Sequence, residues 1–130
     1  MFTINQIKEA HSKVKSGADF PTYVQELIKL GVLYYDVYAI DGHAVFFGDD
    51  SYQVQQDAKY APFDVRVVKD DELFRHYLKI HQQGETDYLT FCRHSVETGI
   101  EKWTVDTREM TCTYYDIKGN KVLVESIPQA

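Results

Sequence analysis

The chain has 130 residues, 44% of them hydrophobic and 14% aromatic, which suits one compact domain with a filled core and excludes a disordered chain. Its formal net charge is −6, and neither half is basic: residues 1–65 hold five Lys and Arg against nine Asp and Glu, and residues 66–130 hold nine against eleven. The basic footprint of a nucleic-acid binder is therefore missing, and no apolar run approaches the ~20 residues that span a bilayer.

The first helix is announced by Thr3 as N-cap and Gln6 three residues on, a capping box, with Phe2 and Ile7 at the two positions of a hydrophobic staple. Ile4, Ile7, His11 and Val14 form one stripe, and Gly17 reads as the residue just past the end. His11, alone on an apolar stripe, reads as a packed histidine with one hydrogen-bonded nitrogen. A second helix follows, capped by Asp19, with Pro21 in its first turn and Gly31 as its stop. The period then changes to two. "VLYYDVYAI", residues 32–40, Asp41-Gly42 and "HAVFF" read as a β-hairpin, with "SYQV", residues 51–54, as a third short strand and "DVRVV", residues 64–68, as one more. Asp70 then caps a helix from about 71 to 83 that Gly84 stops, and a further helix from about 87 to 98 ends at Gly99. "IEKWTVD" is a strand, and "MTCTYYD" and "KVLVESI" pair across "IKGN".

The second half thus repeats the plan of the first. Laying "SGADFPTYVQELIKLGV" over "QGETDYLTFCRHSVETGI", with one residue inserted, places Gly17 on Gly84, Phe20 on Tyr88, Tyr23 on Phe91, Gly31 on Gly99 and Tyr35 on Trp103. The expectation is an α+β fold in one domain, residues 1–130. It is built as a tandem duplication of an α-α-β-β(-β) unit, about 1–63 and 64–130, with a mostly antiparallel sheet packed on helices. Each unit is too small to bury its own apolar face, so the two must share a core.

The stretch "HQQGETDYLTFCRH", residues 81–94, gathers chemistry-bearing residues at the second helix corner. Its glycine, threonine and aromatic frame recurs at the first corner and has a local cause in helix punctuation. Two positions depart: His81 stands where the first unit has Val14, and Cys92 where it has Val24. A corner of this kind could bring an imidazole toward a thiol, with Asp87 orienting the ring, so His81, Cys92 and Asp87 are the candidate catalytic residues. Asp87 is also the natural N-cap, and a Cys replacing Val is more often a small hydrophobe, so the structural reading is preferred. Cys92 and His94 point to nearly opposite helix faces. The five histidines show no metal-ligand spacing, so no metal or cofactor is expected.

The hairpin offers another kind of site. Pairing Ile40 with His43, Tyr38 with Val45 and Asp36 with Phe47 puts Tyr34, Asp36, Tyr38, His43 and Phe47 on one face, and Tyr35, Val37, Ala39, Ala44 and Phe46 on the other. The second set, free of charge, is the core face. The first, with its acid, its histidine and its rings, is expected to reach water, a protein or small-molecule partner, or a second copy in a homodimer. Cys92 and Cys112, too few for a disulfide framework, read as free thiols in a reducing cytoplasm, and "MFTINQIKEAHSK" lacks the pattern of a signal peptide.

Taken together, "FTINQIKEAHSKVKSGADFPTYVQELIKLGV", "HQQGETDYLTFC", "GIEKW", "MTCTYYD" and "VESIP" resemble a small bacterial family of unknown function. Its members occur in enterobacterial and prophage-derived loci and are sometimes labelled phage envelope protein. The resemblance covers nearly the whole chain. It implies a soluble α+β protein and no activity, and no residue here supports an envelope role. The leading expectation is a non-enzymatic cytoplasmic binding module acting through the hairpin face. The rivals are a small Cys-His enzyme and a structural phage component.

Overall fold

A computed structural model describes residues 1–15, 17–63 and 67–128. Four helices, α1 (Ile4–His11), α2 (Phe20–Leu30), α3 (Asp71–Gln82) and α4 (Tyr88–Glu97), pack on one antiparallel sheet. Its strands are β1 (Tyr34–Tyr38), β2 (Ala44–Phe47), β3 (Gln53–Gln56), β4 (Ile100–Asp106), β5 (Thr111–Asp116) and β6 (Lys121–Ser126). The fold is α+β, as the sequence predicts.

The caps form where the sequence places them. Thr3 and Gln6 close the capping box of α1, Asp70 accepts from the Leu73 amide, Asp87 accepts from the Thr90 amide, and α2 ends on Gly31 at φ 98°. The first corner differs. α1 stops at His11, where the Ser12 hydroxyl bonds back to the Glu9 carbonyl, so Gly17 is not its C-terminal glycine. Gly17–Asp19 instead forms a short 3₁₀ turn into α2. The Asp19 carboxylate accepts from the Lys15 amide and makes no cap bond to α2. Most of the expected strand 64–68 lies outside the described residues, and Val67 and Val68 are exposed and in no strand.

The sheet order is β3-β2-β1-β4-β5-β6. Each half thus supplies two helices and a three-stranded meander, and the halves meet where β1 and β4 pair at the centre. That pairing is reciprocal: Tyr35 opposes Val105, Val37 opposes Trp103, and Asp36 opposes Thr104. All four helices pack on one face of the sheet. The core lies there, built from Tyr35, Val37, Ala44, Phe46, Trp103, Val105, Cys112 and Tyr114 of the strands against Ile7, Leu27, Phe74, Leu78 and Phe91 of the helices.

The first hairpin has a different register from the one the Asp41-Gly42 signal implies. Tyr34 pairs with Phe47 and Asp36 with Val45, which leaves a four-residue loop, 39–42, between Tyr38 and His43. The cause is tertiary. The Asp41 carbonyl accepts from the Lys59 and Tyr60 amides, the Ile40 carbonyl from Phe63, and the Tyr60 hydroxyl donates to Ala39, so the connection after β3 is clamped over the loop. Gly42 is the residue that permits this: its φ is +75°, and a Cβ there would stand 2.9 Å from the Tyr60 ring. A shift of two residues conserves side-chain parity, so the two expected faces survive.

Candidate functional site

The aromatic residues of the inner face do not fill the space beneath the helices. Between the sheet and the two helix pairs lies a cavity of about 1000 Å³. Its floor is Tyr35, Val37, Ala44 and Phe46 from β1 and β2, with Trp103, Val105, Cys112 and Tyr114 from β4 and β5. One wall comes from the first helix pair, through His11, Val14, Phe20 and Tyr23, and the other from the second, through Leu78, His81, Tyr88 and Phe91. Residues that the sequence comparison lays over one another both line the cavity: Tyr23 and Phe91, Tyr35 and Trp103, Phe20 and Tyr88, Val14 and His81. The rings are held by one another. Tyr35 stacks on Phe46 at 4.8 Å, and Phe91 packs 5.5 Å from Trp103, which lies 5.9 Å from Tyr114.

The polar groups sit on the walls. His81 is stacked on Phe91 at 4.5 Å, with Nδ1 3.1 Å from the Thr86 carbonyl. Asp87 also lines the cavity but is engaged as the α4 cap, and its bonds to Thr90 hold the carboxyl below its usual range. Glu125 accepts from the Gln82 side chain at 2.9 Å. His11, at the end of α1, and Lys59, whose ammonium stands 5.4 Å from the Tyr88 ring, also line the cavity. Burial and the charge of Lys59 push the His11 pKa down, and burial pushes that of Lys59 down. His11 is therefore not the packed, hydrogen-bonded residue that its stripe suggests. It ends α1, is exposed at the cavity mouth with its ring edge toward Tyr23, and its imidazole makes no hydrogen bond among the described residues.

His81 and Asp87 reach the cavity wall, but Cys92 is fully buried behind it. The polar neighbours of the Cys92 thiol are Tyr60, Tyr88 and Lys59, while His81 is spent on Thr86. Burial raises the Cys92 pKa, and it pushes the Cys112 thiol up to about 12. A raised thiol pKa means less thiolate at any given pH, the reverse of what a cysteine nucleophile needs. The native protein is accordingly expected to react with a disulfide reagent at about pH 8 far more slowly than free cysteine, and to release both thiols on unfolding in denaturant. A fast native thiol would restore the nucleophile reading.

The hairpin candidates lie on the sheet's other face. Tyr34 stacks on Phe47 at 4.4 Å and Tyr38 on His43 at 4.3 Å, all four half-buried. Arg108 stands over Tyr34, and Lys102 stands over both Tyr38 and Tyr115. Asp36, expected to reach water, is buried at 8% exposure, no more open than Val37 on the core face. The neighbouring strand explains it. Thr104, opposite on β4, donates to one carboxylate oxygen, and the Lys102 ammonium sits 3.4 Å from the other, so the charge is paired instead of solvated.

A family model matches residues 8–126. The chain belongs to the family described as protein of unknown function (DUF1398). No curated protein matches it. The matched span runs from the second half of α1 to the end of β6, so it includes α2, α3, α4, all six strands and the whole cavity floor. Among the described residues, no helix is long and apolar enough to cross a membrane, and no three His, Cys, Asp or Glu side chains are grouped to hold a metal ion.

Proposed function

We propose that this DUF1398 protein is a small-molecule binding protein whose site is the cavity between the sheet and the two helix pairs. The carrying observation is the cavity itself: about 1000 Å³, floored by aromatic and aliphatic side chains, with a few polar groups at its rim. Ligand sites have this make-up, and their volumes run from roughly 300 to 1,000 Å³. The other face of the sheet is a weaker candidate, because Tyr34, Asp36, Tyr38, His43 and Phe47 are spent on one another and on Arg108, Lys102 and Thr104. The binding module expected from the sequence is retained, and its site moves from the hairpin's outer face to the inner one. Binding without catalysis fits thiols whose pKa values are raised, and two free cysteines fit a reducing cytoplasm.

We also infer that the two halves descend from one duplicated unit. The reciprocal β1–β4 register and the matched pairs of cavity residues support this. On that reading the site lies on the pseudo-two-fold axis and belongs to neither half alone.

Trp103, the single tryptophan, lines the cavity and reports on it. The neutral probe N-phenyl-1-naphthylamine is expected to bind saturably and to take up excitation from Trp103. Ala44 is buried in the floor, so Ala44→Phe should fill part of the space and weaken binding about tenfold or more while leaving the circular dichroism spectrum intact. Absence of saturable probe binding by the wild-type protein would remove this reading.

A further inference from the structure

The charges around the cavity are not balanced in the way they are used. The two acids on its walls are engaged within the fold: Asp87 holds the first turn of α4, and Glu125 accepts from Gln82. The Lys59 ammonium lacks a carboxylate partner among the described residues and sits 5.4 Å above the Tyr88 ring. Its backbone is not free to swing away, because the Lys59 amide donates to the Asp41 carbonyl at 2.8 Å in the clamp over the hairpin loop. His11 lines the same cavity as Lys59, and its imidazole makes no hydrogen bond among the described residues. The Lys59 ammonium and the His11 imidazole, with Lys15 also in the lining, thus bring donor capacity and positive charge to an aromatic cavity, and no acid among the described residues pairs with Lys59 or His11.

Resting on the cavity reading above, we propose that the ligand is an aromatic or polycyclic molecule carrying one anionic group. Its rings lie against Phe91, Trp103 and Tyr114, and its carboxylate, sulfonate or phosphate is held by Lys59 and His11 at the mouth. The charge arrangement selects for this class. A neutral ligand would leave the ammonium unpaired in a partly desolvated site, a cationic one would be repelled by it, and an anion gains a charge-assisted hydrogen bond.

Two probes with the same ring system separate this proposal from the one it rests on. N-phenyl-1-naphthylamine is neutral, and 8-anilinonaphthalene-1-sulfonate adds one sulfonate. The full-length folded protein, at low ionic strength, is expected to bind the sulfonate about tenfold tighter than the neutral probe. That ratio should fall toward one in Lys59→Gln and recover in Lys59→Arg. It should also shrink with added salt, since the pair is open to solvent at the mouth. Equal affinities for the two probes in the wild-type protein, or an unchanged ratio in Lys59→Gln, overturn the anion assignment while the cavity site stands. Failure of both probes to bind overturns the cavity reading and this proposal with it. A Lys59→Gln protein that does not fold leaves the wild-type ratio and its salt dependence to decide.

Discussion

A fragment of residues 1–66 is expected to be aggregated or molten. It would hold α1, α2 and a three-stranded meander, but β1 would lose its central partner, the five register pairs from Tyr34–Asp106 to Tyr38–Lys102. The open β1 edge would present unpaired backbone groups beside exposed Tyr35 and Phe46, and such edges pair with other chains. Asp36 would lose Thr104 and Lys102 together, leaving a carboxylate without its partners in the middle of the sheet. The amide spectrum decides the matter. Sharp, dispersed resonances from a monomeric fragment would show that one half closes its own core.

Phe74→Ala is expected to be among the most damaging single changes, at about 3–5 kcal/mol, a large share of the ~5–15 kcal/mol that holds a domain together. Phe74 is fully buried on α3. Its ring lies 5.1 Å from Tyr114 on the sheet and 6.2 Å from Phe91 on α4, so it fastens two helices and the sheet at one point. Both neighbours also line the cavity, and the loss should therefore weaken probe binding by loosening its floor. Urea unfolding of the two proteins measures the difference in stability. A change below about 1 kcal/mol would mean that the surrounding rings collapse into the gap, which large cavity-creating changes seldom allow.

The cavity shows what the sequence reading missed and why. Tyr35, Phe46 and Trp103 are recognisable as inward-facing residues from alternation alone, and His81 and Asp87 stand out at the second corner. Nothing local says that the packing of these rings leaves a cavity beside them. Whether aromatic side chains touch or stand apart depends on how far two helix pairs are held from the sheet, which is fixed by contacts between residues distant in the chain. One signal was available: the aligned pairs Tyr23 and Phe91, Phe20 and Tyr88, and Tyr35 and Trp103 put bulky rings at matching positions of both halves, and all of them line the site. Lys59 gave none, because its placement follows from the loop clamp over Asp41, a contact between the connection after β3 and the tip of the hairpin.

What the sequence by itself determined is the set of features whose causes lie within a few residues. The capping box at Thr3 and Gln6, the caps at Asp70 and Asp87, the stops at Gly31 and Gly99, and the two-residue alternation that sends Tyr35, Val37 and Phe46 inward all depend on backbone groups and side chains a turn or a strand apart. Tertiary structure alone decided the four-residue hairpin loop, the pairing of β1 with β4, the burial of Asp36 and the open space at the centre. Each of these turns on a partner from elsewhere in the chain. A carboxylate is solvated or buried according to which strand lies beside it, and the identity of that strand is not a local property of the residues around Asp36.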